Sequence, residues 1–226
     1  MKTWKTLSLS LLFIAVSAFS LQAQKWNKRS VTGEGSSVTQ TLNVNNFTSI
    51  GVALNAKVIL TQGNSQKVTI QGQQNIIDLI EKDVDGGSWD IGFPDGTNAR
   101  NYDKLIINIT MPTFKNLAIA GSGEIVTNSN FNNLGNIGIA IAGSGDVNIS
   151  GSAKDVDIEI AGSGRVNVAD LSSSDCDVEI AGSGDCKVNV SGRLDVSIAG
   201  SGSVAYKGSP RLNTSIAGSG RVKSMK

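Results

Sequence analysis

Apolar and polar residues alternate along most of this chain, and in the second half one pentapeptide punctuates the alternation. Ile-Ala-Gly-Ser-Gly occurs at 119–123, 141–145, 160–164, 180–184, 198–202 and 216–220. Ahead of it stand Ile137, Ile139 and Ile141; Val156, Ile158 and Ile160; Cys176, Val178 and Ile180; Leu194, Val196 and Ile198. Behind it stand Val147 and Ile149, Val166 and Val168, Cys186, Val188 and Val190, and Val204 and Tyr206. Period-two alternation of largely β-branched residues marks a strand with one buried face. The linking Ala-Gly-Ser-Gly predicts a turn, because glycine allows positive φ and small side chains let a turn stack on its own copy.

The first glycines of the six copies are 22, 19, 20, 18 and 18 residues apart. In an antiparallel meander, alternate turns would lie at opposite sheet ends and would have no reason to be identical. In a parallel β-helix each turn stacks on the last, so one geometry selects one sequence. The pattern therefore predicts an all-β solenoid with about six regular coils, rising about 30 Å at the usual strand spacing. Gly121, Gly123, Gly143, Gly145, Gly162, Gly164, Gly182, Gly184, Gly200, Gly202, Gly218 and Gly220 are then structural turn residues. Six copies are five too many for a nucleophile or phosphate loop, and no Gly-Lys-Ser/Thr follows any of them.

Residues 24–118 lack the pentapeptide but keep the strand texture, at Val38–Val44, Ser49–Ala53, Lys57–Thr61, Lys67–Gln71, Ser88–Phe93 and Leu105–Met111. One helix is expected from Asn75 to Asp83, with Asn75 as its cap and Ile76, Ile77, Leu79 and Ile80 apolar. This less regular segment is expected to cover the first rung of the solenoid. No linker separates it from residues 119–226, so 24–226 is expected to form one domain around a continuous core.

Ahead of that domain, Lys2 and Lys5, the apolar run Leu7 to Phe19 and the small and polar residues 20–23 read as a secretory signal cleaved after Ala23. The run is too short for a permanent span, and no later run approaches membrane length. No cysteine near the cleavage point offers a lipid anchor, and the few residues after the last Gly-Ser-Gly leave no room for a sorting domain. The mature protein is therefore expected outside the cytoplasm, in the periplasm, on the outer surface or in the medium. Loss of two lysines on cleavage takes the formal charge from +1 to −1, which gives no electrostatic footprint for nucleic acid or anionic membrane.

The arrangement resembles the head GIN domain family of auto-transporter adhesins, a domain of unknown function frequent in exported proteins of Bacteroidetes. The matching features are Asn46-Phe47-Thr48-Ser49-Ile50, Val58-Ile59-Leu60-Thr61-Gln62-Gly63, Ile76–Asp83 leading into Trp89-Asp90-Ile91, Leu105–Pro112 with Leu117, and the Gly-Ser-Gly ladder. The resemblance spans almost the whole mature chain and implies a right-handed β-helix in an extracytoplasmic location. The chain shows no translocator barrel, which a literal auto-transporter would carry in cis.

Composition narrows the chemistry. The chain has no histidine, which excludes Ser-His-Asp and Cys-His catalysis and His-ligated zinc; no cofactor is expected. The position after each Gly-Ser-Gly holds Glu124, Asp146, Arg165, Asp185, Ser203 and Arg221. Two arginines rule out a calcium ladder there. Stacking instead puts Arg165 between Asp146 and Asp185 in an exposed row worth a few tenths of a kcal/mol per pair, about the usual figure for surface charges. Cys176 and Cys186 fall on inward positions and are expected to be buried free thiols.

A second column is less balanced. If Val156, Ile158, Val178 and Ile180 point inward, then Asp155, Asp157, Glu159, Asp175, Asp177 and Glu179 point outward, and Asp195 continues the middle row. Like carboxylates would then lie roughly 5 Å apart in register. Such a face is either solvated and screened or a site for a divalent cation or a basic partner. Overall the sequence predicts a non-catalytic exported β-solenoid, a binding, adhesion or structural module of the cell envelope whose partner is an envelope protein or glycan. The alternative is a polysaccharide-active β-helix lyase or hydrolase. Against it, the acidic face is expected to lack an accompanying base, and only Trp26, Trp89, Tyr102 and Tyr206 could offer a sugar platform in the mature chain.

Overall fold

The structure is a computed structural model that describes residues 29–225. Residues 1–23, expected to be a secretory signal, and Trp26 lie outside the described residues. The chain begins with β1 (Arg29–Thr32), β2 (Ser37–Leu42), β3 (Ser49–Val52), β4 (Ala56–Gln62) and β5 (Lys67–Gln73). One helical turn, α1 (Gln74–Ile77), leads to β6 (Val84–Asp85), β7 (Ser88–Ile91), β8 (Thr97–Arg100) and β9 (Leu105–Met111). The repeat region comprises β10 (Asn116–Gly121), β11 (Glu124–Thr127), β12 (Phe131–Gly143), β13 (Asp146–Gly162), β14 (Arg165–Gly182), β15 (Asp185–Gly200), β16 (Ser203–Lys207), β17 (Arg211–Gly218) and β18 (Arg221–Ser224).

The repeat strands stack in parallel, which excludes the meander. One ladder runs β7–β3–β10–β12–β13–β14–β15–β17, and a second, past the turn, runs β9–β4–β11–β13–β14–β15–β16–β18. Gly121, Gly143, Gly162, Gly182, Gly200 and Gly218 stand in one register column, so six stacked turns delimit five complete coils. The unequal repeat lengths are absorbed on the remaining side. Between β13 and β14, residues 146 and 165 pair at an offset of 19 and residues 155 and 175 at an offset of 20, and the ladder slips between Asn148 and Ser150. Both faces flanking the turn thereby stay in strict register.

The turn shows why its sequence repeats. Gly143 sits at φ +130°, and a Cβ there would lie 2.5 Å from the Gly121 carbonyl oxygen of the coil before it. That oxygen accepts a 2.8 Å hydrogen bond from the Ser144 N–H, and the bond recurs from Ser163 to Gly143 and from Ser201 to Gly182. A Cβ on Gly145 would lie 2.6 Å from Ile119 Cγ2. Both glycines are required, one by backbone conformation and carbonyl approach, the other by the isoleucine beneath it.

Inside, Ile, Val and Leu fill one cluster of buried residues running from Leu42 to Val204. The N-terminal part continues the solenoid without the pentapeptide, because β3 and β4 flank a turn that occupies the Gly-Ser-Gly position. Spatial order departs from chain order here: β7 and β9 follow β3 and β4 in sequence but lie on their far side. Antiparallel β5 and then β2 complete the second ladder beyond β9. Among the described residues β1 pairs only with β8, in a separate two-stranded parallel sheet.

The helix is shorter than its apolar pattern predicts. It ends at Ile77, and Leu79 and Ile80 donate to Ile76 and Ile77 in tightened i→i−3 turns. Asn75 does not cap it. Its side chain instead donates to the Thr32 carbonyl and accepts from the Glu34 N–H, tying down the segment after β1. The Glu81 N–H donates to the Gly92 carbonyl, which leads the chain into β6 and leaves no room for further helix.

Candidate functional site

The solenoid places the predicted acidic residues on one outward face. Register columns run Asp155–Asp175–Arg193, Asp157–Asp177–Asp195 and Glu159–Glu179–Ser197 across β13, β14 and β15. Between them, Val156, Ile158, Cys176, Val178, Leu194 and Val196 are buried, so the strand pleat fixes which side chains face out. All seven carboxylates of the expected face are therefore brought together.

The expectation that this face lacks a base is corrected. Arg193 stands in the first column, and its guanidinium reaches Asp195 at 2.5 Å, Asp177 at 3.4 Å and Asp175 at 3.8 Å. Its backbone N–H also donates to Asp175 Oδ1 at 2.9 Å. Two coils away, on β13, Lys154 lies 3.4 Å from Asp155. These pairs leave Asp157, Glu159 and Glu179 without an ion pair among the described residues. Partial burial pushes the Asp157 carboxyl up, and Asp155 pushes it further while Arg193 opposes. Burial and then the charges of Glu179 and Asp157 raise Glu159. Asp177 is also raised, by burial first, against the pull of Arg193.

Among the described residues no three acidic or thiol side chains converge as a metal ion would require. The strand pleat explains this: neighbouring carboxylates project side by side from a flat surface, whereas calcium needs oxygens from several directions.

The column behind the turns is charge-paired, and it extends further than the repeat. Glu124 accepts from Lys57 at 2.8 Å and Lys104 at 3.1 Å, and Lys57 holds its carboxyl below the ordinary value. Arg165 pairs with Asp146 at 2.7 Å. Asp185, on the other side of Arg165, takes the Ser203 hydroxyl as its partner instead. The two lysines were invisible to the repeat alignment because they belong to coils without the pentapeptide.

Cys176 and Cys186 are buried and free. Burial drives both thiols upward, Cys176 well above its ordinary value. Trp89 cannot serve as a sugar platform: it is fully buried, packs at a tilt against Phe47 with ring centroids 5.4 Å apart and donates Nε1–H to the Glu81 carbonyl. Tyr102 packs edge-on against Phe93 at 5.9 Å. Two shallow depressions of about 340 and 350 Å³ are present, the first in the N-terminal part beside Leu42 and Val68 and the second between that part and the repeat region beside Gln62, Pro112 and Ser129. Neither includes a residue of the acidic face.

No helix among the described residues is long and apolar enough to cross a membrane. Fold and surface together define a parallel β-solenoid whose polar display lies on flat outer faces. Residues 46–210 match the family described as "Putative auto-transporter adhesin, head GIN domain", and the chain belongs to that family. Solved structures share the fold. A "putative adhesin" from Bacteroides fragilis aligns with TM-score 0.71 at 23% identity, covering 86% of this chain and 100% of its own. A "putative lipid binding protein" from Parabacteroides distasonis aligns with TM-score 0.58 at 20% identity, covering 88% and 100%. A "putative adhesin" from Parabacteroides merdae aligns with TM-score 0.55 at 18% identity, covering 87% and 99%. No curated protein matches the chain.

Proposed function

We propose that the chain is a non-catalytic binding or adhesion module of a bacterial cell envelope, exported by its N-terminal signal and working outside the cytoplasm. The carrying observation is the flat face on which Asp157, Glu159 and Glu179 stand, on two adjacent coils, without ion pairs among the described residues. Partial burial raises the first two, with neighbouring carboxylates adding to it, so a cationic surface brought against them gains more than it would against solvated carboxylates. The partner is an envelope protein or glycan presenting basic groups. Membership of an adhesin-described family supports the binding role, and the origin of the solved relatives supports a Bacteroidetes envelope.

Capture from envelope fractions by the wild-type chain and by an Asp157→Asn, Glu159→Gln, Glu179→Gln variant tests this. A partner held by the wild type and lost by the variant is expected; equal capture by both would refute the role of the face. Calorimetry with calcium at about millimolar concentration separates the cation alternative, and cell fractionation tests the location. One observation favours a second reading, a glycan lyase or hydrolase: Arg193 stands among three aspartates, a base beside acids on a solenoid face. Its guanidinium is already committed to those aspartates, which ranks this second. New reducing ends or unsaturated products from a glycan panel would reverse the ranking.

A further inference from the structure

The two ends of the main ladder carry opposite and uncompensated charge. At one end lie β7 and, beyond it, the terminal strand β6. Residues 78–95 around them hold Asp78, Glu81, Asp83, Asp85, Asp90 and Asp95 against the single base Lys82. All six acids are exposed, and none forms an ion pair among the described residues.

The other end is basic. After Asp195 the sequence holds Lys207, Arg211, Arg221, Lys223 and Lys226 and no acid. Lys207 pairs with Asp170, whereas Arg211, Arg221 and Lys223 are exposed without an ion pair among the described residues. The outward acidic columns also stop there, since Asp195 is followed in register by Asn213 and Ser197 by Ser215.

This basic end is an open sheet edge. Among the described residues β17 pairs only with β15 and β18 only with β16. β17 runs eight residues in unbroken register, with no proline, no bulge and every residue exposed. Leu212 and Ile216, which continue the buried Leu194 and Ile198 columns, are 43% and 42% exposed. Soluble proteins blunt such edges with bulges, prolines or a covering element, and the other end of the second ladder is covered by antiparallel β5 and β2.

We propose that a second copy of this chain covers the edge, its acidic β6–β7 end docking on the basic β17–β18 end. A symmetric pairing of two β17 edges would set Arg211, Arg221 and Lys223 against their own copies. The head-to-tail contact matches acid to base, and it leaves each copy with one free end of either sign. Such a heterologous contact repeats, so it builds an open linear stack along the solenoid axis instead of a closed dimer. Eight strand intervals separate the two ends of the ladder, so each copy adds at least about 38 Å.

Sedimentation velocity of residues 24–226 tests the stack. At about 100 μM protein, association is expected at about 50 mM salt and is expected to weaken tenfold or more at about 500 mM. Arg211→Glu, Arg221→Glu and Lys223→Glu together make both ends acidic, and Glu81→Lys, Asp83→Lys and Asp85→Lys together reverse the other end. Each variant alone is expected to sediment as a monomer, and an equimolar mixture of the two is expected to associate, because each then meets its complement. A wild-type chain that is monomeric at every salt concentration overturns the proposal. So does association that both variants keep, or a mixture of folded variants, checked by circular dichroism, that stays monomeric.

Discussion

Replacing Gly143 by alanine tests the stacked turn at its most demanding atom. The new Cβ falls 2.5 Å from the Gly121 carbonyl oxygen, where neither backbone can yield without moving a whole coil. Holding a non-glycine residue at φ +130° costs about 1–3 kcal/mol. Relieving the overlap costs about 1–3 kcal/mol. Displacing Gly121 also weakens the Ser144-to-Gly121 hydrogen bond, worth about 1 kcal/mol. The total, about 3–7 kcal/mol, is comparable with the stability of a whole domain. For a chain of this size it lowers Tm by more than about 6 °C. Ser144→Ala is the control: Ser144 is exposed and keeps its backbone N–H, so the change stays within about 0.5 kcal/mol. Urea titrations of both variants followed by far-UV circular dichroism give the comparison. A loss below about 1 kcal/mol for Gly143→Ala, or an equal loss for Ser144→Ala, would refute the account of why the turn repeats.

Arg193→Ala leaves Asp175, Asp177 and Asp195 facing one another and is expected to cost about 1 kcal/mol at low salt; thermal melts should show the deficit shrinking as salt rises, and a salt-independent deficit would count against the electrostatic cause. The raised carboxyls Asp157 and Glu159 have ordinary values of 3.8 and 4.5. The folded chain keeps their protons to higher pH than the unfolded chain, so their contribution is complete below those values and is lost as pH rises through the raised ones. Glu159→Gln should therefore flatten the fall of Tm with rising pH and raise Tm at pH 7, whereas an unchanged profile would contradict the assignment. Glu124 has the opposite sign: held down by Lys57, it stabilises above 4.5, and Glu124→Gln should cost under about 1 kcal/mol at pH 7 and nothing in acid. Cys176 and Cys186 should resist a thiol reagent in the native chain and both react in denaturant; an oxidised species two mass units lighter would show that they bridge.

The pentapeptide made the repeat half legible because one turn geometry imposes one sequence, and each isoleucine then serves as a ruler for its coil. Arg193 was within reach of that ruler. Counting five residues back from the repeat isoleucines gives Asn136, Asp155, Asp175, Arg193 and Arg211, the observed register column. In the N-terminal part the ruler is missing. Alternation in Leu105–Met111 identifies a strand, with the observed bounds, but says nothing about its neighbours. That β9 lies parallel to β4 and antiparallel to β5 depends on side chains packed across long sequence separations, which no local pattern encodes. Lys57 and Lys104 went unseen for the same reason. The helix failed differently: four apolar residues at helical spacing were recruited into the core through one helical turn and a pair of tighter ones.

Because every Gly-Ser-Gly turn hands the same pair of hydrogen bonds to the next, a coil begins and ends at equivalent points. Deleting one whole repeat, or copying one, would therefore join like to like and leave both ends intact. Overall length is thus a digital quantity for this molecule, adjustable in steps of about 4.8 Å by duplication alone. Each step moves the acidic end relative to the basic end without altering either, so reach and recognition can be tuned separately.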